Sequence, residues 1–121
     1  MIAGLDHVAI PLPADGEEVA RTFYVGLLGL VEIPKPHELA RRGGVWFVLP
    51  DGRQIHLQAG GIFTPLTGPH PAFRCPDRSG VARKLLDAGC DVRWDEAYDE
   101  MRRFYVDDPF GNRLEMLEVP Q

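Results

Sequence analysis

The sequence predicts an α+β domain of two βαβββ modules, forming a curved, cleft-bearing mixed β-sheet with helices on the outside. Three observations predict it. The period of the apolar residues switches between two and nearly four, the order strand, helix, three strands occurs twice, and one short motif recurs in both halves. Pro50-Asp51-Gly52-Arg53-Gln54-Ile55-His56 matches Pro109-Phe110-Gly111-Asn112-Arg113-Leu114-Glu115 position by position. Each copy has glycine two residues after the proline and a polar residue six after it. Two copies of one supersecondary unit can bury their faces only against each other.

Leu5 to Leu12 reads as a strand ended by Pro11 and Pro13, with His7 and Ala9 on one face. From Asp15 to Leu28 the period lengthens: Val19, Phe23 and Leu27 recur every fourth residue, flanked by Ala20, Tyr24 and Leu28. Asp15 is the expected N-cap, with Glu18 three residues on and Gly29 as the stop. Leu30 to Ile33 is a short strand and His37 to Arg42 a helical turn. Val45–Leu49 and Gln54–Gln58 form a hairpin about Pro50–Arg53.

Ala59 to Pro69 is rich in glycine and proline and has no period, so it is the expected linker between modules 1–58 and 70–121 of a single domain. His70 to Cys75 opens the second module as a strand. A helix over Asp77–Ala88 follows, capped by Asp77 and striped by Val81 and Leu85 beside Ala82 and Leu86. Cys90–Trp94 is a strand, and Asp95 to Glu100 most simply a solvated acidic loop, with closure over a site mouth as the alternative. Met101–Val106 leads through the Pro109–Asn112 turn into the last strand.

At 121 residues the chain can bury a core without disulfides or structural metal, and 45% hydrophobic with 26% charged residues is ordinary for a globular protein. The formal charge of −5 argues against nucleic acid and anionic membrane as partners, since both need a basic face. No apolar run approaches the roughly 18 residues of a membrane span, and the N-terminus lacks a signal-peptide pattern, so the cytoplasm is the expected compartment. Cys75 and Cys90 lack CxxC spacing and are expected to be free thiols.

The candidate site follows from the last strand. Leu114 and Met116 share one face, while Arg113, Glu115 and Leu117 share the other. A carboxylate turned inward costs several kcal/mol unless it is neutralised, paired or metal-bound, so Glu115 needs a partner. The repeat supplies candidates: His7 and His70 open the two modules, and His56 occupies the place of Glu115. If the sheets face each other these four side chains converge, and imidazoles with a carboxylate suit a divalent first-row metal with open positions for substrate. Trp46 and Phe47, like Phe104 and Tyr105, are adjacent, so one of each pair packs under a helix and the other lines the cavity. Arg103 shares the parity of Tyr105 and could hold a carboxylate or phosphonate bidentately. The simpler alternatives are hydrogen-bonded structural histidines and solvated charges, as expected for His37, Glu32 and Glu118.

The segments Leu5-Asp6-His7-Val8-Ala9-Ile10, Phe23-Tyr24 with Leu27-Leu28-Gly29-Leu30, His70-Pro71-Ala72-Phe73-Arg74 and Phe104 through Glu115 span nearly the whole chain. In that order they resemble the vicinal oxygen chelate superfamily, which includes glyoxalase I, extradiol dioxygenases, fosfomycin-resistance thiol transferases, methylmalonyl-CoA epimerase and bleomycin-resistance binding proteins. The resemblance implies His7, His70 and Glu115 as ligands of a divalent ion (Zn, Ni, Mn or Fe). His56 stands where glyoxalase I has a glutamate, so it is either a fourth ligand or an acid–base group facing substrate. Tyr105 resembles an anion-contacting tyrosine of the fosfomycin enzymes, and Trp46 and Arg103 complete the expected substrate contacts. A homodimer with shared sites is also implied. The activity so expected is that of a metal-dependent lyase or isomerase on a small substrate chelated through neighbouring oxygens, with Glu115 and His56 catalytic. An extradiol dioxygenase and a metal-free binding protein are the alternatives.

Overall fold

In the computed structural model, which describes residues 1–95, 97 and 102–118, each half of the chain forms a strand, a helix and three more strands. The chain divides into one unit over Met1–Pro65 and a second beginning at Leu66.

In the first unit β1 (His7–Pro11) pairs in parallel with β4 (Gln54–Gln58), while β2 (Val31–Ile33) and β3 (Val45–Val48) complete an antiparallel run, giving the order β1-β4-β3-β2. Because β4 lies inside the sheet, Ile55, His56 and Leu57 are all buried despite pointing to alternate faces. Val45 and Phe47 turn toward the helix and are 2% and 0% exposed. Phe47 stacks on Tyr24 with ring centroids 5.4 Å apart, while its neighbour Trp46 takes the opposite face. The pairing of adjacent aromatics thus resolves as the alternation requires.

The helix differs from its expected form at its start and in its pitch. Asp15 has φ +62° and lies in a turn closed by the Gly16 N–H on the Pro13 carbonyl, so it does not cap; Gly16 does, without a side-chain bond. α1 covers Glu17–Arg21 and widens over Thr22–Leu27 into a π-helix. The buried stripe is Ala20, Phe23 and Tyr24, and Val19, assigned to it by period, is exposed.

The second unit repeats the topology. β5 (Ala72–Arg74) pairs in parallel with β8 (Arg113–Leu117), and β7 (Arg103–Asp107) and β6 (Arg93–Asp95) follow in the order β5-β8-β7-β6. α2 spans Arg78–Asp87, and the Asp77 carboxylate caps it by accepting from the Gly80 N–H at 3.2 Å. Ala82 and Leu85 are buried beneath it, while Leu86 is exposed. β5 begins at Ala72, so His70 stands on the approach to the strand rather than within it. The expected acidic loop falls mostly outside the described residues; Asp95 itself ends β6. Cys75 and Cys90 are free thiols, and no described helix is long and apolar enough to cross a membrane.

The recurring motif is one backbone turn made twice. The Leu49 N–H donates to the Arg53 carbonyl at 2.8 Å, and the Asp108 N–H to the Asn112 carbonyl at 2.8 Å. Gly52 and Gly111 take φ of +91° and +93°, a conformation that only glycine adopts at no steric cost. The side chains differ. Asn112, fully buried, accepts from the Leu66 N–H at 2.9 Å and donates to Asp108 at 2.9 Å, whose other oxygen accepts from the Phe110 and Asn112 N–H groups.

Candidate functional site

The parallel pairing of β1 with β4, and the antiparallel pairing of β4 with β3, put His7, His56 and Trp46 side by side on one face of the first sheet. Trp46 is the direct cross-strand neighbour of His56, and Ala9, two residues along from His7, faces His56 from β1. The three rings stack like cards, with His7 and His56 centroids 4.0 Å apart at 15° and Trp46 and His56 3.7 Å apart at 3°. The faces of His56 are therefore occupied and its edges carry its polar chemistry.

Partners fix the protons on these rings. The Asp6 carboxylate can only accept, so His7 Nδ1 donates to it at 2.8 Å. The amide oxygen of Gln54 likewise receives His56 Nε2–H at 2.8 Å. Gln54 shares the face of His56 because it lies two residues earlier on the strand. Burial, reinforced by the neighbouring His7, pushes the His56 pKa down to about 4, so its ring is neutral at pH 7 and its Nδ1 carries a lone pair.

In the second unit the equivalent position, Glu115, has Tyr105 as its direct cross-strand neighbour. Glu115 is 5% exposed. His70 Nε2 lies 2.8 Å from Glu115 Oε1, while His70 Nδ1 donates to the Gly68 carbonyl at 2.7 Å. The Gly68 carbonyl only accepts, so Nδ1 carries a proton and Nε2 is the nitrogen turned to the carboxyl. Glu115 does have the partner that its inward position demands.

Arg103 Nη1 stands 3.5 Å from the same Glu115 oxygen, and its Nη2 is 2.9 Å from Asp95. Asp95, held by the Ala97 N–H first and by Arg103 second, has its carboxyl pKa below the usual range. Tyr105 meets the edge of the His70 ring at 5.4 Å and lies under two guanidinium groups, those of Arg103 and Arg113, each 5.2 Å from its centroid. Asp6, Gln54, Gly68 and Arg113 belong to these sites and were not expected from the sequence, while Asp95 was expected only as part of the acidic loop. Strand alternation alone marks Gln54 and Arg113; nothing in the local pattern marks Gly68.

Each unit thus offers a pair of metal-type donors: two imidazoles in the first, an imidazole and a carboxylate in the second. These donors fit the chemistry of a first-row divalent ion. The oxygen partners of the three histidines also match the way ligating imidazoles are oriented, leaving His7 Nε2, His56 Nδ1 and His70 Nε2 as the outward donors. Among the described residues no three His, Cys, Asp or Glu side chains are grouped as one cage.

Comparison with known structures decides the ancestry. A crystal structure ascribed to the glyoxalase family, from Bacillus anthracis, shares 42% identity over 99% of this chain and 98% of that one, with a TM-score of 0.94. The chain belongs to the glyoxalase superfamily. A member of the glyoxalase/bleomycin resistance protein/dioxygenase superfamily from Sphaerobacter thermophilus matches at 20% identity over 97% of this chain and 98% of that one, TM-score 0.77. A fosfomycin resistance protein from Listeria monocytogenes matches at 18% over 99% and 96%, TM-score 0.78. At such identities these two bear on the fold alone. No protein-family model and no curated protein matches the chain significantly.

Proposed function

We propose that this glyoxalase-superfamily protein is a metal-dependent enzyme of the lyase or isomerase type, acting on a small substrate through two neighbouring oxygens. His7, His70 and Glu115 are its proposed ligands, His56 faces the substrate as an acid–base group, and the protein is proposed to act as a homodimer. The observation that carries this reading is the approach of His70 Nε2 to the buried Glu115 Oε1, 2.8 Å apart. An imidazole held from behind by a carbonyl and turned to a carboxylate supports a cation site there.

A divalent ion held by His7, His70 and Glu115 would supply Lewis acidity toward charge developing on the substrate's oxygens. The chain supplies the rest. Glu115 and His56 are the proton acceptors: the Glu115 carboxyl is positioned by His70 and Arg103, and His56 is neutral with Nδ1 unengaged. Tyr105, between two guanidinium groups, presents a hydroxyl for orienting the substrate. Trp46 stacks on His56 and shields that ring face from water.

Elemental analysis of protein purified without chelator tests this directly. Near-stoichiometric Zn, Ni, Mn or Fe is expected, with a rise in Tm when the stripped protein is reloaded. Glu115→Gln should weaken metal binding ten-fold or more and leave the circular dichroism spectrum unchanged. Absence of metal together with no Tm gain from any of the four ions would refute the reading.

A further inference from the structure

A pocket of about 310 Å³ opens in the first unit, walled by the His7, His56 and Trp46 stack, by Leu39 and Leu57, and by Lys35 and Arg42. Its volume is at the small end for a ligand site. The charge of its lining runs against that of the chain: the protein carries −5, yet this wall holds two cations and no carboxylate. Two carboxylates border the wall: Asp6, 2.8 Å from His7 Nδ1, and Glu17, whose Oε1 accepts from the Gly44 N–H at 3.0 Å and whose charge also acts on Lys35. Glu17 therefore offsets Lys35. Arg42 is exposed and has no hydrogen-bond or ion-pair partner among the described residues.

The segment that presents Arg42 is fixed rather than loose. Residues His37–Arg42 form a 3-10 helix, and the two glycines after it are tied down. Lys35 Nζ donates to the Gly43 carbonyl, the Gly44 N–H donates to Glu17, and Gly44, at φ +90°, lies so close to the Leu57 carbonyl that a Cβ would collide with it. A guanidinium with no counter-ion, held by an anchored backbone at the rim of a small, partly apolar pocket, lacks an anion.

We propose that this pocket binds the oxyanion group of a small organic substrate, a carboxylate or a phosphoryl group, through Arg42 with Lys35 beside it. The aliphatic and aromatic lining takes the substrate's carbon skeleton, and the ring edges of His7 and His56 face its remaining oxygens. Naming that ligand a substrate rests on the metal-enzyme reading above; the anion site itself does not.

The test uses chelator-treated protein at pH 8, above the ordinary histidine range, so that neither a metal nor a protonated imidazole supplies the attraction. Calorimetric titrations compare benzoate and phenylphosphonate with neutral benzamide. One or both anions should bind at least ten-fold more tightly than benzamide, and which of them binds better distinguishes a carboxylate from a phosphoryl substrate. Arg42→Gln should weaken anion binding roughly ten-fold, as loss of a charged hydrogen bond does, and leave benzamide unaffected, while Arg42→Lys keeps most of the affinity. Arg42 is exposed, so an unchanged Tm for both variants separates a lost contact from a lost fold. Equal affinity for anions and benzamide, no anion binding at millimolar concentration, or an Arg42→Gln variant that binds anions like the parent would each overturn the proposal. Failure of the metal reading would register separately, in elemental analysis.

Discussion

The two units use one scaffold for opposite electrostatics. His56 and Glu115 occupy the same position on the interior strand, each preceded two residues earlier by a polar side chain and each faced across the ladder by an aromatic one, Trp46 or Tyr105. Around His56 the neighbours are ring faces, its one polar partner is the neutral amide of Gln54, and burial strips the ring of its proton. Around Glu115 they are the polar His70 ring, the Arg103 guanidinium and, beyond it, the Asp95 carboxylate. Duplication fixes where a side chain points, and its neighbours decide whether it arrives neutral or ionic.

The comparison can be broken first at the shared core. Phe47 in one unit and Phe104 in the other are both 0% exposed, with valines Val106 and Val45 at the corresponding places. Phe47→Ala and Phe104→Ala should each cost about 3–5 kcal/mol by chemical denaturation. A loss below about 1 kcal/mol at either would place that unit's core elsewhere.

The electrostatic contrast has a pH signature in the metal-free protein. With its pKa lowered from 6.5 to about 4, His56 takes up its proton more readily in the unfolded chain. Its contribution is thus complete above pH 6.5, declines as the pH falls to 4 and is flat below, a total of roughly 3 kcal/mol. His56→Phe should flatten that slope. An unchanged slope would assign it to other groups.

The turns offer a third contrast, since identical backbone bonds carry different side chains. Asn112 is enclosed and bonded to Leu66 and Asp108, so Asn112→Ala should cost about 2–3 kcal/mol. Arg53, its counterpart, is exposed and pairs with Asp51, and Arg53→Ala should cost less than about 0.5 kcal/mol. Equal losses would mean that the backbone turn alone sets the hairpin register.

Strand parity and the repeat were legible because both depend on periods that tertiary packing respects. Leu114 and Met116 against Glu115, Trp46 against Phe47, and the twin turns at Gly52 and Gly111 all follow from alternation. What failed was local. Asp15 reads as a cap by type, but beside Gly16 it takes a left-handed turn conformation. The π-helix over Thr22–Leu27 departs from a 3.6-residue stripe that cannot encode it. His70 reads as the first residue of a strand, yet it is held off the ladder by its bond to Gly68, in a loop without periodicity. The pocket cations were invisible for the same reason, since Lys35 and Arg42 lie outside any alternating segment.

Central to this view is the 2.8 Å contact between His70 and Glu115, which a bound cation must open. Calorimetric zinc titration of the stripped protein measures the affinity of that pair for a cation. Near-stoichiometric binding is predicted for the wild type, together with at least ten-fold weaker binding by Glu115→Gln. No zinc binding by the wild type, or affinity unaltered in Glu115→Gln, would contradict it.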